Sequence, residues 1–321
     1  MVSQGEAERA IKSTCHLFKM KKKYLSPFKV SIIGVGLIGG SFGLALRKKR
    51  LIKQVIGIGR HIHKLQEAKR LGAVDKYTTD FGRGVKDSDI VMIATPVIKT
   101  PLIVKRILPH LKDGCIITDV GSTKGWVVKK VEQTISEFSR KGKVRNVSFI
   151  GGHPMAGSER ESVRNARADI FSDTTCVLTP TDKKVRKAVK IVGDLWSGIG
   201  ARILVLEPDE HDYLVAYTSH LPHVLATSLV NLIGKLIRED SRTSRIIAGS
   251  ISDMTRIAAS NPEMWADICL SNAPAISKSI DVMVKYLEKF KSSIVRRRKK
   301  ELENIFERGR FARKKFVGRE I

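Results

Sequence analysis

Apolar positions fall along the chain in two regimes. Between residues 29 and 206, short apolar runs recur at 29–33, 54–58, 90–95, 115–120, 147–150, 175–179 and 201–206. Most are rich in Val and Ile, as expected of strands buried on both faces. Helix-length stretches separate them, as at 41–48, 64–71 and 101–110. This alternation predicts an α/β fold. Its core is a mostly parallel, doubly wound sheet covered by helices, with ligands at the carboxyl ends of the strands.

The character changes after residue 206. Pro208-Asp209-Glu210 reads as a helix start, with proline and acids in the first turn. Helical patterns follow at 210–237, 244–259, 264–271 and from 275 onward. Val224, Leu225, Ala226, Leu229, Val230, Leu232 and Ile233 leave one helix apolar on most sides. Such a helix is buried, often between subunits. The expected division is a loosely ordered basic extension at 1–28, an α/β domain at 29–206, and an all-helical part at 207–321 ending in a basic tail.

The first strand run leads into Gly34-Val35-Gly36-Leu37-Ile38-Gly39, which matches G-x-G-x-x-G between a strand and a helix. Gly34 permits the tight turn, Gly36 a close approach of backbone to a pyrophosphate, and Gly39 close packing of helix on strand. Leu37 and Ile38, between these glycines, belong to the cofactor-binding set, and the helix at 41–48 turns its N-terminus toward the phosphate charge. Thr95 and Pro96, at the end of the run 90–95, complete the cofactor-binding set. The ribose-binding position at the end of the second strand holds Arg60 rather than an acid. An arginine there pairs with a 2′-phosphate or stacks on adenine, so the cofactor is NAD(P), with a lean to NADP.

Four segments carry candidate chemistry. In Gly151-Gly152-His153-Pro154-Met155-Ala156-Gly157-Ser158-Glu159-Arg160, His153 is expected just past a strand end, with Glu159 six residues on. Asp119-Val120-Gly121-Ser122-Thr123-Lys124 follows another strand, and Ser122 and Lys124 are expected to point into the cleft. Ser219-His220-Leu221-Pro222-His223 places two histidines on one helix face, and Pro222 should interrupt that helix. Asp253 and Arg256, three apart, share a further face, where Arg256 can clamp a carboxylate.

Composition narrows the class. Of 321 residues, 42% are hydrophobic, as in ordinary globular domains. Cys15, Cys115, Cys176 and Cys269 lie far apart. Their spacing argues against disulfides and against a metal site, and fits a cytoplasmic protein. No run spans a membrane, and residues 1–28 lack the apolar core of a secretory signal. The formal net charge of +27 invites a polyanion partner. No motif with interleaved aromatics supports nucleic acid, and runs such as 296–300 read as solvated helix faces.

The segments GVGLIGGS, DVGSTKG, GGHPMAGSE, HDYLVAYTSHLPH and SDMTRIAASNPEMW, in that order, resemble the prephenate dehydrogenase family, which includes arogenate and cyclohexadienyl dehydrogenases. The resemblance covers about residues 29 to 290. It implies a Rossmann-type domain followed by a helical dimerisation domain, and a homodimer. The basic tail is too short and too little β-like for the ACT domain of some members. By resemblance His153 accepts a hydrogen bond from the substrate's 4-hydroxyl as hydride leaves C4, and Ser122 bonds His153 and seats the nicotinamide. Arg256 binds the ring carboxylate that departs as CO2, His223 and Glu159 shape the entrance, and Asp253 orients neighbouring groups. Prephenate is the expected substrate, with arogenate the alternative. A non-catalytic NAD(P)-binding protein associated with polyanions is a rival resting on the charge alone. Other two-domain dehydrogenases, such as β-hydroxyacid or pyrroline-carboxylate enzymes, require neither His153 nor the Ser-His-Leu-Pro-His run.

Overall fold

A computed structural model describes residues 27–142, 146–157, 162–182 and 185–317. The first 26 residues of the expected extension, and Glu159, lie outside this set. The strands are β1 (Lys29–Ile33), β2 (Gln54–Ile58), β3 (Lys76–Thr78), β4 (Ile90–Ile93), β5 (Ile116–Asp119), β6 (Ser148–Pro154), β7 (Thr175–Thr179) and β8 (Arg202–Val205). They form one sheet in the order β3-β2-β1-β4-β5-β6-β7-β8. Every neighbouring pair is parallel except β6 and β7.

The helices of this half are α1 (Leu37–Lys48), α2 (Ile62–Arg70), α3 (Phe81–Val85), α4 (Thr100–Ile107), α5 (Gly125–Arg140) and α6 (Arg186–Gly198). They cover both faces of the sheet, because successive strand residues point to opposite sides. Val30, Ile32, Ile90 and Met92 join a core with Phe42, Phe171 and Trp196. Ile33, Val91 and Ile93 join the opposite core with Val104, Ile107 and Val131. This explains why the strand sequences read as unbroken apolar runs rather than alternating ones.

Strand β6 overturns the expectation that His153 lies beyond a strand end. Its first half, Ser148 to Ile150, pairs in parallel with β5. Its second half, Gly151 to Pro154, pairs antiparallel with β7, so His153 sits inside the strand opposite Val177. Gly151-Gly152 reads locally as a turn, but it is a close approach. A Cβ on Gly151 would lie 2.4 Å from Thr179 Oγ1, and one on Gly152 would lie 2.7 Å from the Asp119 carbonyl oxygen.

Beyond β8 the described chain is helical: α7 (Pro208–Val215), α8 (Leu221–Glu239), α9 (Gly249–Thr255), α10 (Pro262–Ser271), α11 (Ala273–Val295) and α12 (Lys299–Val317). The expected helix at 210–237 is interrupted by a π-turn over Ala216–His220. Pro222, at the start of α8, has no N–H to donate to the preceding turn, and the wider turn absorbs the defect. The expected helix at 244–259 is three pieces, Ser241–Ile246, α9 and Arg256–Ala259, and none contains a buried residue to hold a longer helix in place. Among the described residues, no helix is long and apolar enough to cross a membrane.

Candidate active site

The glycine-rich turn lies where β1 meets both β2 and β4. Gly34 has φ +94°, and its N–H donates to the Ile58 carbonyl at 2.9 Å. A side chain there would also drive a Cβ to 2.4 Å from the Ala94 carbonyl oxygen. Gly39 packs α1 on β1, since a Cβ would fall 2.2 Å from the Gly34 carbonyl oxygen. Gly36 differs: nothing lies within 4 Å of its Cβ position, and no side chain caps α1.

The first N–H groups of α1, from Leu37 and Ile38, therefore open onto space at the carboxyl ends of β1 and β4. Thr95 Oγ1 is buried without a protein partner, and Pro96 turns the chain into the 3-10 turn Val97–Lys99. Open helix N–H groups, a bare glycine and an orphaned hydroxyl fit an anionic dinucleotide. Arg60 is exposed just past β2, followed by His61 and His63, whose rings are 5.8 Å apart.

Asp119, the last residue of β5, organises the next part of the site. Its Oδ1 accepts from Gly152 N at 3.0 Å, and its Oδ2 accepts from Gly121 N at 2.9 Å and from Lys124 Nζ. Neither Asp119 nor Lys124 has any exposed side-chain surface. Lys124 thus does not point into the cleft as expected; its charge is spent on Asp119. Ser122, on the same loop, is half-buried. Among the described residues no hydrogen bond joins it to His153, whose Nδ1 meets His211 Nε2 at 2.8 Å.

His211 and Asp212 are the residues that sequence reasoning passed over. His211 Nδ1 lies 2.8 Å from Asp212 Oδ1. That carboxylate also accepts from Lys124 N at 2.7 Å and from Gly125 N at 2.8 Å, and so caps α5. The only local signal was a polar pair one residue past an acidic helix start.

Asn272 Nδ2 donates to the Asp212 carbonyl at 2.8 Å, and Thr123 and Ser271 hydroxyls meet at 2.9 Å. The first joins two parts of the helical segment, and the second, with the Asp212 bonds to Lys124 and Gly125, holds that segment against the carboxyl edge of the sheet. His220 is buried in the π-turn and lies edge-on to Trp265 at 5.9 Å. His223 stacks on Trp265 at 3.6 Å.

Burial pushes His153 well below the ordinary histidine range, and the charges of His211, Lys124 and His220 add to this. Burial also brings His220 down to about 4, against the opposing pull of Asp212. His223 is lowered by burial and by the positive charge of Arg256, against a raising bond to the Ser219 carbonyl. That coupling places Arg256 close to His223. Asp253 is exposed on α9, and Arg256 begins the following 3-10 turn, so the expected shared helix face ends between them. Among the described residues no cluster of metal-ligating side chains occurs.

The arrangement is an uncharged, half-buried imidazole beside a dinucleotide cradle, with a cationic side chain near a second histidine. The family model for the prephenate dehydrogenase nucleotide-binding domain matches residues 42–205, and that for the prephenate dehydrogenase dimerization domain matches 207–308. A prephenate dehydrogenase of Bacillus subtilis is 35% identical over 279 residues, 86% of this chain and 72% of that one. A cyclohexadienyl dehydrogenase of Zymomonas mobilis is 33% identical over 267 residues, 83% of this chain and 88% of that one. The crystal structure of prephenate dehydrogenase from Aquifex aeolicus, in complex with hydroxyphenyl propionate and NAD+, aligns with a TM-score of 0.84 at 31% identity. The alignment covers 92% of this chain and all (100%) of that one. On the match of both family models and these relatives, the chain belongs to the prephenate dehydrogenase family.

Proposed function

We propose that this protein catalyses the nicotinamide-dependent oxidative decarboxylation of prephenate to 4-hydroxyphenylpyruvate, a step toward tyrosine. The observation that carries the reading is His153, held uncharged by burial at the carboxyl edge of the sheet. A neutral imidazole there accepts the proton of the 4-hydroxyl. Gly34, Gly36, Gly39, the N–H groups of Leu37 and Ile38, and Thr95 with Pro96 would hold the dinucleotide. A nicotinamide bound there supplies the acceptor for the hydride that leaves C4.

The remaining roles rest on the resemblance. Arg256 binds the ring carboxylate, whose loss as CO2 aromatises the ring and makes the reaction one-way. His223, on its Trp265 platform, and Ser122, on the loop after β5, orient the substrate around C4. By resemblance alone, Asp253 orients neighbouring groups and Glu159, outside the described residues, shapes the entrance.

Three finer points belong to the same reading. Arg60, exposed where an acid would select NAD, supports use of NADP. The helical part at 207–321 supports a homodimer, because Leu232, Tyr286, Leu287 and Val295 expose 55–71% of their surface. The unpaired thiols Cys115, Cys176 and Cys269 suit a cytoplasmic enzyme.

The test is an absorbance assay for reduced nicotinamide, crossing prephenate and arogenate with NAD and NADP. The expected result is turnover of prephenate, with NADP accepted and the preference moving toward NAD in Arg60→Asp. Turnover of arogenate alone would reassign the substrate, and no turnover in any combination would defeat the reading.

A further inference from the structure

His153 has two ring nitrogens, and only one of them can take a proton from a substrate. Which one is free depends on where the ring's own proton sits. The decision is made by groups outside the reacting pair. Asp212 is an acceptor only: its carboxylate already takes two backbone N–H groups at the start of the 16-residue helix α5. The contact between His211 Nδ1 and Asp212 Oδ1 therefore requires the proton on His211 Nδ1. With that proton in place, an uncharged His211 presents a lone pair at Nε2, and the partner at 2.8 Å is His153 Nδ1. His211 itself has 0% exposure, so no water competes for either nitrogen.

We propose that His211 is a positioning residue for hydride transfer: anchored by Asp212, it draws the His153 proton to Nδ1 and leaves His153 Nε2 as the acceptor for the substrate hydroxyl. The proposal rests on the reading of His153 as that acceptor. The step balances on the atoms named. The substrate O–H bond breaks, its proton bonds to His153 Nε2 and its electron pair becomes the second C4–O bond, while the C4–H bond breaks with its electron pair going to the nicotinamide. The imidazolium so formed keeps its Nδ1–H on His211, and the Asp212 carboxylate lies one ring away to oppose the charge.

Among the described residues, no other side chain is hydrogen-bonded to either ring. Lys124 is paired with Asp119. His220 Nδ1 faces Asn272, His223 Nδ1 faces the Ser219 carbonyl, and burial raises the Cys176 thiol well above its usual value. Pro208 starts α7, and consecutive positions 211 and 212 project about 100° apart, one toward β6 and the next toward α5.

Three variants and one spectrum test this. His211→Phe keeps the bulk of the ring but removes the acceptor. It is expected to lower kcat about tenfold or more, to move the acid limb of the kcat profile, and to change substrate KM and nicotinamide affinity by less than about twofold. His211→Gln, which returns an acceptor oxygen, is expected to recover most of kcat. Nitrogen-15 NMR of the histidine-labelled wild-type enzyme should show His153 protonated at Nδ1 and bare at Nε2. Unchanged kcat and pH profile in His211→Phe, or a wild-type His153 protonated at Nε2, would overturn the proposal. If His211→Phe does not fold, the wild-type spectrum decides alone. Full activity in His153→Asn would instead defeat the reading of His153 on which the proposal stands.

Discussion

Lys124 Nζ and Asp119 Oδ2 form an ion pair in which neither side chain is exposed. The pair joins the end of β5 to the start of α5, and through Asp119 Oδ1 it holds the backbone of Gly152 beside His153. Breaking a buried pair by removing one partner strands a charge away from water, at about 3–5 kcal/mol. Lys124→Met should lose stability on that scale in urea unfolding. A loss comparable with an exposed pair, under about 1 kcal/mol, would show that Asp119 is compensated in another way.

His153→Asn should cut turnover by about 10²-fold or more, the usual contribution of a positioned base, while nicotinamide binding survives. Steady-state kinetics and a fluorescence titration of reduced nicotinamide separate the two effects. In the wild type the neutral ring is the active form, and burial lowers its pKa. Activity should therefore persist below pH 6.5, the ordinary value, and fail only as pH falls through the lowered one. An acid limb centred above 6.5 would contradict this assignment.

Arg256→Gln should act on binding. A hydrogen bond to a charged group contributes about 1.5–3 kcal/mol, so prephenate KM should rise about 10- to 100-fold with a smaller change in kcat. A variant in which only nicotinamide affinity changes would remove Arg256 from the substrate site.

His220 makes the fold sensitive to acid. Its ring takes a proton near 6.5 when unfolded and only near about 4 when folded. Between those values the unfolded chain binds more protons, so stability is full above 6.5 and falls as pH drops toward about 4. The shift is equivalent to about 3 kcal/mol. His220→Asn should flatten the decline of the urea midpoint by about one proton's worth over that window. Equal slopes in both proteins would place the sensitivity in His153 and His223, which burial lowers in the same direction.

Local chemistry made much of the molecule legible. Six of the strands are visible as apolar runs because a strand with buried faces needs no alternation, and the edge strand β8 is visible through Ile203-Leu204-Val205. The turn at Gly34–Gly39 is legible because its requirements are backbone requirements: a positive φ at Gly34 and room at Gly36 and Gly39. Strand β3 was missed because Lys76-Tyr77-Thr78 is a short edge segment whose first residue is exposed, so it carries little apolar signal.

The surroundings of His153 were decided elsewhere. Gly151-Gly152 has the composition of a turn, and only β7 arriving antiparallel makes it a strand. His211 lies 58 residues from His153, and Asp212 lies 87 residues from Gly125, the start of the helix it caps. Periodicity and turn chemistry act over a few residues, so the sequence by itself determined the elements, their α/β order and the histidine to watch. Which partner holds that histidine, and which of its nitrogens is free, depends on how the sheet's carboxyl edge meets the first helix beyond it, and only the packed chain settles that.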